Sequence, residues 1–322
     1  MLVADRWVDY EILDCGDGEK LERWGDIILR RPDPQVIWPR SLNDDVWNDI
    51  HAVYHRSSKG GGYWEKRRKM PDNWTVGFEL ATGRMLTFGI EPTGFKHTGL
   101  FPEQAANWDW MSRLIEDENK RLYGDKLPEK EDMLSRETGV RVLNLFAYTG
   151  GATVACAAAG ASVCHVDASK GMVAKARGNV GLSGLDDAPV RYIVDDVNKF
   201  VSREIRRGHR YDGIILDPPS YGRGPKGELW HLEEELFGLI DMCSMVLSDR
   251  PLFFLINSYT TGLAPSVLRN VMIRTLGKRI PDEFPGVYSA EELMIPVTGG
   301  EFGNAAEGLM LPCGSSGRWQ RK

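Results

Sequence analysis

From Arg141 onward the chain sets short apolar segments against helix-length ones, and this alternation constrains the fold more than any other feature. The apolar segments are residues 141–146, 161–167, 190–194, 211–216 and 252–257. Between and after them lie residues 151–159, 170–183, 197–207, 228–247 and 264–276, each long enough for a crossover helix. Apolar strands joined in this way form a parallel sheet covered by helices on both faces. Such a doubly wound sheet holds its ligand outside the carboxyl ends of its strands. The residues that end each strand are therefore the candidates for function.

Four of those ends carry signals. The first strand runs into Phe146-Ala147-Tyr148-Thr149-Gly150-Gly151, where glycine lets the backbone approach a ligand. The second ends in Asp167, 17 residues after Gly150, followed by Ala168 and Ser169. An acid in this place can accept hydrogen bonds from both hydroxyls of a ribose. Asp195-Asp196-Val197 follows the third strand, and Asp217-Pro218-Pro219-Ser220-Tyr221 follows the fourth. Taken singly, Asp167, Asp195 and Asp196 could be helix caps and the glycine pair an ordinary turn. Four in succession argue for a nucleoside site. The loop is not G-x-G-x-x-G and no Walker sequence is present, which disfavours a dinucleotide or a nucleoside triphosphate. Consecutive prolines fix φ and give up two donors, so rigid carbonyls are expected to face the cleft beside an aromatic ring.

Composition limits the alternatives. The 322 residues suggest about two domains, and 42% hydrophobic with 27% charged residues is ordinary globular usage. A net charge of -6 removes any global attraction for nucleic acid, so such binding would need a local patch. No apolar run reaches the ~18 residues of a membrane span, and the first residues lack a signal-peptide pattern. The five cysteines, Cys15, Cys156, Cys164, Cys243 and Cys313, contain no C-x-x-C pair. Neither a disulfide framework nor a metal site is expected, and the expected location is the cytoplasm.

The first hundred residues read as a β-rich module, with strands at 10–13 and 26–30 and a hairpin of 75–80 with 84–90. A helix is expected from Pro102 to about residue 122, and residues 123–139 read as a linker. The expected division is 1–100, a helix and linker over 101–140, and the doubly wound domain over 141–322. Two last strands are placed at 291–297 and 308–312. Between residues 51 and 75 six basic side chains face Glu65 and Asp72 alone, interleaved with Tyr63, Trp64 and Trp74. Lys59, Lys66, Arg67 and Arg68 to reach phosphates, with Tyr63 and Trp64 to stack bases, would suit single-stranded RNA. A solvated loop anchored by aromatics would read the same way.

With these motifs in hand, the chain resembles the class I RNA methyltransferases that use S-adenosylmethionine, in the branch of bacterial 23S ribosomal RNA cytosine-5 and guanine-N7 enzymes. The likeness covers about residues 74–258. It rests on Phe95-Lys96-His97-Thr98-Gly99-Leu100-Phe101-Pro102-Glu103-Gln104 and Asn144 to Gly151, with Asp195-Asp196-Val197 and Asp217 to Tyr221. It implies a Rossmann-like α/β domain with a seven-stranded, mostly parallel sheet whose last strand is antiparallel. Tyr148 to Gly151 would wrap the methionine end of S-adenosylmethionine, with Phe146 and Ala147 also on the cofactor, Asp167 on the ribose and Asp196 on the adenine amine, with Asp195 nearby. Thr98, Phe101 and Gln104 would cover the cofactor, and Asp217 and Pro218 would face the methyl group. The substrate implied is ribosomal RNA, with Tyr221 stacking on the acceptor and Arg223 and Lys226 in a substrate loop.

One departure is chemical. Cytosine-5 relatives carry a nucleophilic cysteine after the fifth strand, where this chain has Ser258-Tyr259-Thr260-Thr261-Gly262. Attack on a pyrimidine ring needs a poised thiolate, so a nitrogen acceptor, which needs only orientation, fits better. A methyltransferase of a small molecule or protein side chain, and a non-catalytic RNA-binding assembly factor, are the competing expectations.

Overall fold

In the computed structural model, residues 1–57, 61–94, 96–124, 129–134, 139–223, 229–260, 262–303 and 308–322 are described. The chain divides into two units, one of residues 1–79, 85–106 and 293–313, the other of 80–84, 107–292 and 314–322.

The first unit begins with β1 (Leu2–Val3), β2 (Tyr10–Gly16), β3 (Glu19–Trp24) and β4 (Ile27–Pro32). The short helix α1 (Asp44–Asn48) precedes β5 (Ala52–Arg56) and β6 (Gly62–Lys66). β2 to β6 form one five-stranded sheet, and β7 (Trp74–Glu79) pairs with β8 (Met85–Ile90) as the expected hairpin. Leu13, Leu21, Trp47, Ile50 and Val53 form its core. Sequence patterning missed β3, β5 and β6, because their periodicity is hidden by charge. In β3, Glu22 is fully buried. It accepts from Arg31 Nη2 at 2.7 Å and from the Tyr10 hydroxyl at 2.7 Å, with the Lys20 ammonium 3.7 Å away. Burial acts to raise the Glu22 carboxyl, but Arg31 and Lys20 overcome it and hold it at about 2.

In the second unit the helix α2 (Ala105–Tyr123) and the short α3 (Lys130–Leu134) lead into the predicted alternation. The elements run β9 (Arg141–Leu145), α4 (Gly151–Ala158), β10 (Ser162–Asp167), α5 (Lys170–Leu182), β11 (Val190–Val194), α6 (Val197–Arg207) and β12 (Gly213–Leu216). A small hairpin, β13 (Tyr221–Arg223) with β14 (Leu229–His231), precedes α7 (Leu232–Ser244). Then follow β15 (Phe253–Ser258), α8 (Pro265–Leu276), β16 (Gly286–Pro296) and β17 (Met310–Arg321). The sheet order is β1-β16-β17-β15-β12-β9-β10-β11, with β9 to β12 and β15 parallel and β17 antiparallel to β15. This is the mostly parallel sheet with an antiparallel strand that the resemblance implied. The resemblance implied seven strands; the eighth is β1, a two-residue edge added at Leu2↔Leu293 and Val3↔Met294.

β12 and β15 are buried along their whole length, as strands covered on both faces must be. Their approach requires a glycine: a Cβ on Gly213 would lie 2.4 Å from the Phe253 ring. Gly213→Ala is therefore expected to lower stability by about 1–3 kcal/mol, the cost of overpacking a core. A urea midpoint equal to that of the parent would show that the ring moves aside freely.

Candidate active site

The loop after β9 has an unusual backbone. Phe146 and Tyr148 sit at φ 55° and 49°, a region that non-glycine residues avoid, and Gly150 sits at φ 83°. The surrounding structure holds them there. The Tyr148 amide donates to Asp167 Oδ2 at 2.8 Å, the Ala147 amide to the Val166 carbonyl at 3.1 Å, and the Gly150 amide to the Ala147 carbonyl at 3.0 Å. From α5, Asn179 Nδ2 donates to the Thr149 carbonyl at 2.8 Å. A Cβ on Gly150 would lie 2.9 Å from that of Ala176, and one on Gly151 would lie 2.6 Å from the Trp108 ring. Both glycines are thus needed for packing as well as for the turn.

Asp167 ties two strand ends together. Its Oδ1 accepts the Ser169 amide at 2.8 Å while Oδ2 takes that of Tyr148. Each oxygen keeps lone-pair capacity after these bonds, so the carboxylate can still receive two hydroxyls. Ala168 and Ser169 are exposed beside it, and the Ser169 hydroxyl also caps α5.

Beneath the loop is a buried polar relay that sequence reasoning did not find. Asn144 Nδ2 donates to Thr153 Oγ1 at 2.9 Å, which lies 2.9 Å from His165 Nδ1. The Thr153 hydroxyl, accepting from Asn144, donates to Nδ1, which leaves the His165 proton on Nε2. That nitrogen has no hydrogen-bond partner among the described residues. Burial pushes the imidazole down to about 4, so it is neutral near neutral pH. An asparagine and a histidine inside strands, and a threonine inside a helix, carry no periodic signal that could have marked them.

At the third strand end, Asp195 Oδ1 accepts the Asp196 amide at 2.8 Å and its other oxygen pairs with Arg203. Asp196 Oδ1 caps α6 by accepting the Lys199 amide at 2.9 Å, and Val197 is buried in the helix start. At the fourth, the Asp217 amide donates to the Leu145 carbonyl at 3.3 Å, and Pro218 is buried. The Pro219 carbonyl, expected to face the cleft, is taken up by Trp230 Nε1, which donates to it at 2.8 Å. Tyr221 stands half exposed, edge-on to His231 at 5.2 Å. Trp230 and His231 were missed, since β14 falls where the pattern predicted the start of a helix.

In the other unit, Thr98 is buried with its carbonyl accepting the Glu91 amide at 3.0 Å, and Phe101 packs on His97 at 5.2 Å. Gln104 closes a short 3-10 turn over Pro102–Gln104. The basic stretch is less free than its composition suggests. Lys66 pairs with Asp72 at 2.7 Å, Arg67 with Glu65 at 3.1 Å, and Arg68 with Asp49. Trp64 packs on Tyr54 at 5.4 Å and donates to the Thr93 carbonyl at 2.8 Å, whereas Tyr63 is 63% exposed. Lys59 and Lys226 lie outside the described residues, as does the Arg223 side chain on β13. Cys15, Cys156, Cys164 and Cys243 are buried thiols; burial pushes Cys15 up to about 11 and Cys164 to about 12. Cys313, expected in a loop, lies on β17, and burial raises it too.

The depressed His165 has a consequence for folding. Below 6.5 the unfolded chain takes up a proton that the folded chain refuses until about 4, so stability falls as pH drops through that window. Urea midpoints are expected to decrease from neutral pH toward pH 4.5 in the parent and less steeply in His165→Asn, by roughly 1–2 kcal/mol. Parallel slopes for the two proteins would show that His165 does not titrate as described.

Comparison with known proteins fits this geometry. A family model described as S-adenosylmethionine-dependent methyltransferase matches residues 111–232. Ribosomal RNA large subunit methyltransferase K of Neisseria meningitidis serogroup B is 31% identical over 280 residues, covering 84% of this chain and 72% of the relative. Ribosomal RNA large subunit methyltransferase I of Escherichia coli O157:H7 is 35% identical over 154 residues, 47% of this chain and 38% of that one. The solved structure of a SAM-dependent methyltransferase from Agrobacterium tumefaciens superposes with a TM-score of 0.84 at 33% identity, covering 100% of this chain and 93% of that one. The chain belongs to the S-adenosylmethionine-dependent methyltransferases.

Proposed function

We propose that this methyltransferase modifies a base of ribosomal RNA, with donor and acceptor held at the carboxyl ends of β9 to β12. The observation that carries the reading is the set of strand ends, where the Asp167 acceptors, the glycine cradle at Gly150 and the Asp217-Pro218 turn follow one another. These residues fit the cofactor. Asp167 has acceptor capacity for the ribose hydroxyls, flanked by Ala168 and Ser169, and Asp195, Asp196 and Val197 would meet the adenine. Phe146 to Gly151, free of a Cβ at its tightest point, would follow the methionine end. When bound, S-adenosylmethionine supplies an electrophilic methyl group on a sulfonium.

The chain's own contribution is orientation, worth several kcal/mol when reacting atoms are held in line. Asp217 and the Pro218 carbonyl would accept hydrogen bonds from the target amine, and Tyr221 would stack on the base. Trp230, by holding the Pro219 carbonyl, keeps the turn rigid. All four fully buried thiols have raised pKa values, so a nitrogen acceptor is favoured over carbon methylation through a thiolate. Two relatives named as ribosomal RNA methyltransferases, together with exposed Tyr63 and Tyr221, support RNA as the substrate. The ion-paired Lys66, Arg67 and Arg68 add less to this than their number suggests. Five free cysteines fit a reducing, cytoplasmic setting.

Two measurements test the reading. Asp167→Ala is expected to weaken S-adenosylmethionine binding about 10- to 100-fold in calorimetry, the loss of charge-assisted hydrogen bonds. Asp217→Ala is expected to keep that affinity and lower the rate of label transfer from tritiated S-adenosylmethionine to ribosomal RNA about 100-fold or more. Label found in protein or in small molecules, but not in RNA, would overturn the substrate assignment.

A further inference from the structure

At the opposite end of the parallel strands lies a second feature, a cavity of about 390 Å³. It is lined by Arg141 at the start of β9, His209 and Arg210 between α6 and β12, and Asp249 and Arg250 before β15. β9 has five residues, so the cavity stands roughly 17 Å from the loop that begins at Phe146. It is separate from the strand-end site.

The charges here do not cancel. Asp212, buried behind the cavity, already accepts the Arg141 amide on Oδ2 at 2.8 Å and the Ser248 hydroxyl on Oδ1 at 2.6 Å. The guanidinium groups of Arg141 and Arg250 lie only at 3.7 Å and 4.0 Å from it. Arg141 Nε is buried and makes no hydrogen bond within the described residues. Among the described residues, Arg210 donates to the carbonyl of neighbouring His209 alone, at 3.0 Å. The other buried acid, Glu204, accepts from the Tyr211 hydroxyl at 2.6 Å and pairs with His209 at 2.8 Å. Three arginines, each guanidinium carrying five donors, therefore line a cavity among whose lining residues Asp249 is the exposed acid, and one of their donors, Arg250 Nη2, reaches the Gly139 carbonyl at 3.4 Å. Arg206, exposed at the end of α6, extends the positive field, while Arg207 beside it pairs with Glu204 at 3.5 Å. In a chain of net charge -6 such a concentration is local by construction.

We propose that this cavity is a phosphate-binding site, taking the oxyanion through Arg141, Arg210 and Arg250. A planar guanidinium fork matches the geometry of a phosphate, and several forks around one cavity favour that anion over a lone carboxylate. The phosphate can belong to the backbone of a polynucleotide or be free in solution. The polynucleotide arm rests on the RNA reading above, whereas the oxyanion chemistry does not. With an RNA substrate, the site would add a second contact far from the methylated base and raise affinity through effective concentration.

The test uses the full chain and Arg210→Glu, since Arg210 bonds, among the described residues, to an adjacent carbonyl alone. Inorganic phosphate, added at millimolar concentrations, is expected to shift the backbone amide resonances of Gly208 to Tyr211 in the parent and not in the variant. A fluorescent polyuridylate strand is expected to bind the variant about five- to ten-fold more weakly, with a salt slope smaller by about 1. S-adenosylmethionine binding should be equal in both, which controls for folding, and Arg210→Ala should fall between them. A loss of phosphate binding with polyuridylate affinity unchanged supports the cavity with free phosphate as its ligand. Amides that ignore phosphate in the parent, or respond equally in the variant, overturn the proposal. A parent that binds phosphate through Arg210 but no RNA overturns the RNA reading alone.

Discussion

The Asp167 carboxylate is the tie on which the strand-end architecture depends. It receives the Tyr148 amide from one crossover loop and the Ser169 amide from the next, so neither loop can move without the other. Phe146 and Tyr148 occupy left-handed backbone that would relax if released. A conformation of that kind, costing of order 1–3 kcal/mol per residue, persists only where neighbours over-determine it. Asp167 holds the Tyr148 amide and Asn179 the Thr149 carbonyl, while the Asn144–Thr153–His165 relay ties β9, α4 and β10 together around the loop. Under the proposed function, such pre-set acceptors would offer a nucleoside a formed site and lower the ordering cost of binding.

The second constraint is the closeness of the central strands. Gly213 on β12 lets the Phe253 ring of β15 fill the space where a side chain would stand, and Gly151 does the same for Trp108 over α4. Trp108 comes from α2, well before the alternation starts, so this helix is part of the catalytic fold. The turn after β12 then inherits its position from a fully buried strand. Its Asp217 amide is bonded to the end of β9, and the Pro219 carbonyl is bonded to Trp230 of the β13–β14 hairpin. The loop after β9 and the turn after β12 are thus both fastened to β9.

Charge follows a similar division of labour. Glu22 with Arg31, and Asp212 with the Arg141 amide, show buried acids used to hold strands and loops, at a desolvation cost met by several donors each. The basic residues 66 to 68, which composition offers as a nucleic-acid surface, pair with acids, one of which, Asp49, lies outside the basic stretch. Around Arg210 the reverse occurs. Residues separated by some forty to seventy positions in the chain bring guanidinium groups together with their nearby acids already occupied.

By itself the sequence determined the alternation from Arg141 onward, the parallel sheet, and the four strand ends on which the proposed function rests. These were legible because buried parallel strands must be apolar throughout and because glycine, proline and acid at a strand end have local causes. The cofactor was legible through motif order, since no single signal among Gly150, Asp167, Asp196 and Asp217 would suffice. Tertiary structure alone decided the rest. β3 and β6 are strands despite their charges because partners elsewhere neutralise them, and β17 runs far beyond its predicted end because β15 offers it an edge to pair with. Trp230 at the proline turn, His165 beneath the glycine loop and the arginines around Arg210 are side chains that meet only after folding. Contacts between distant residues leave no period in a sequence, and that is the physical reason they could not be read from it.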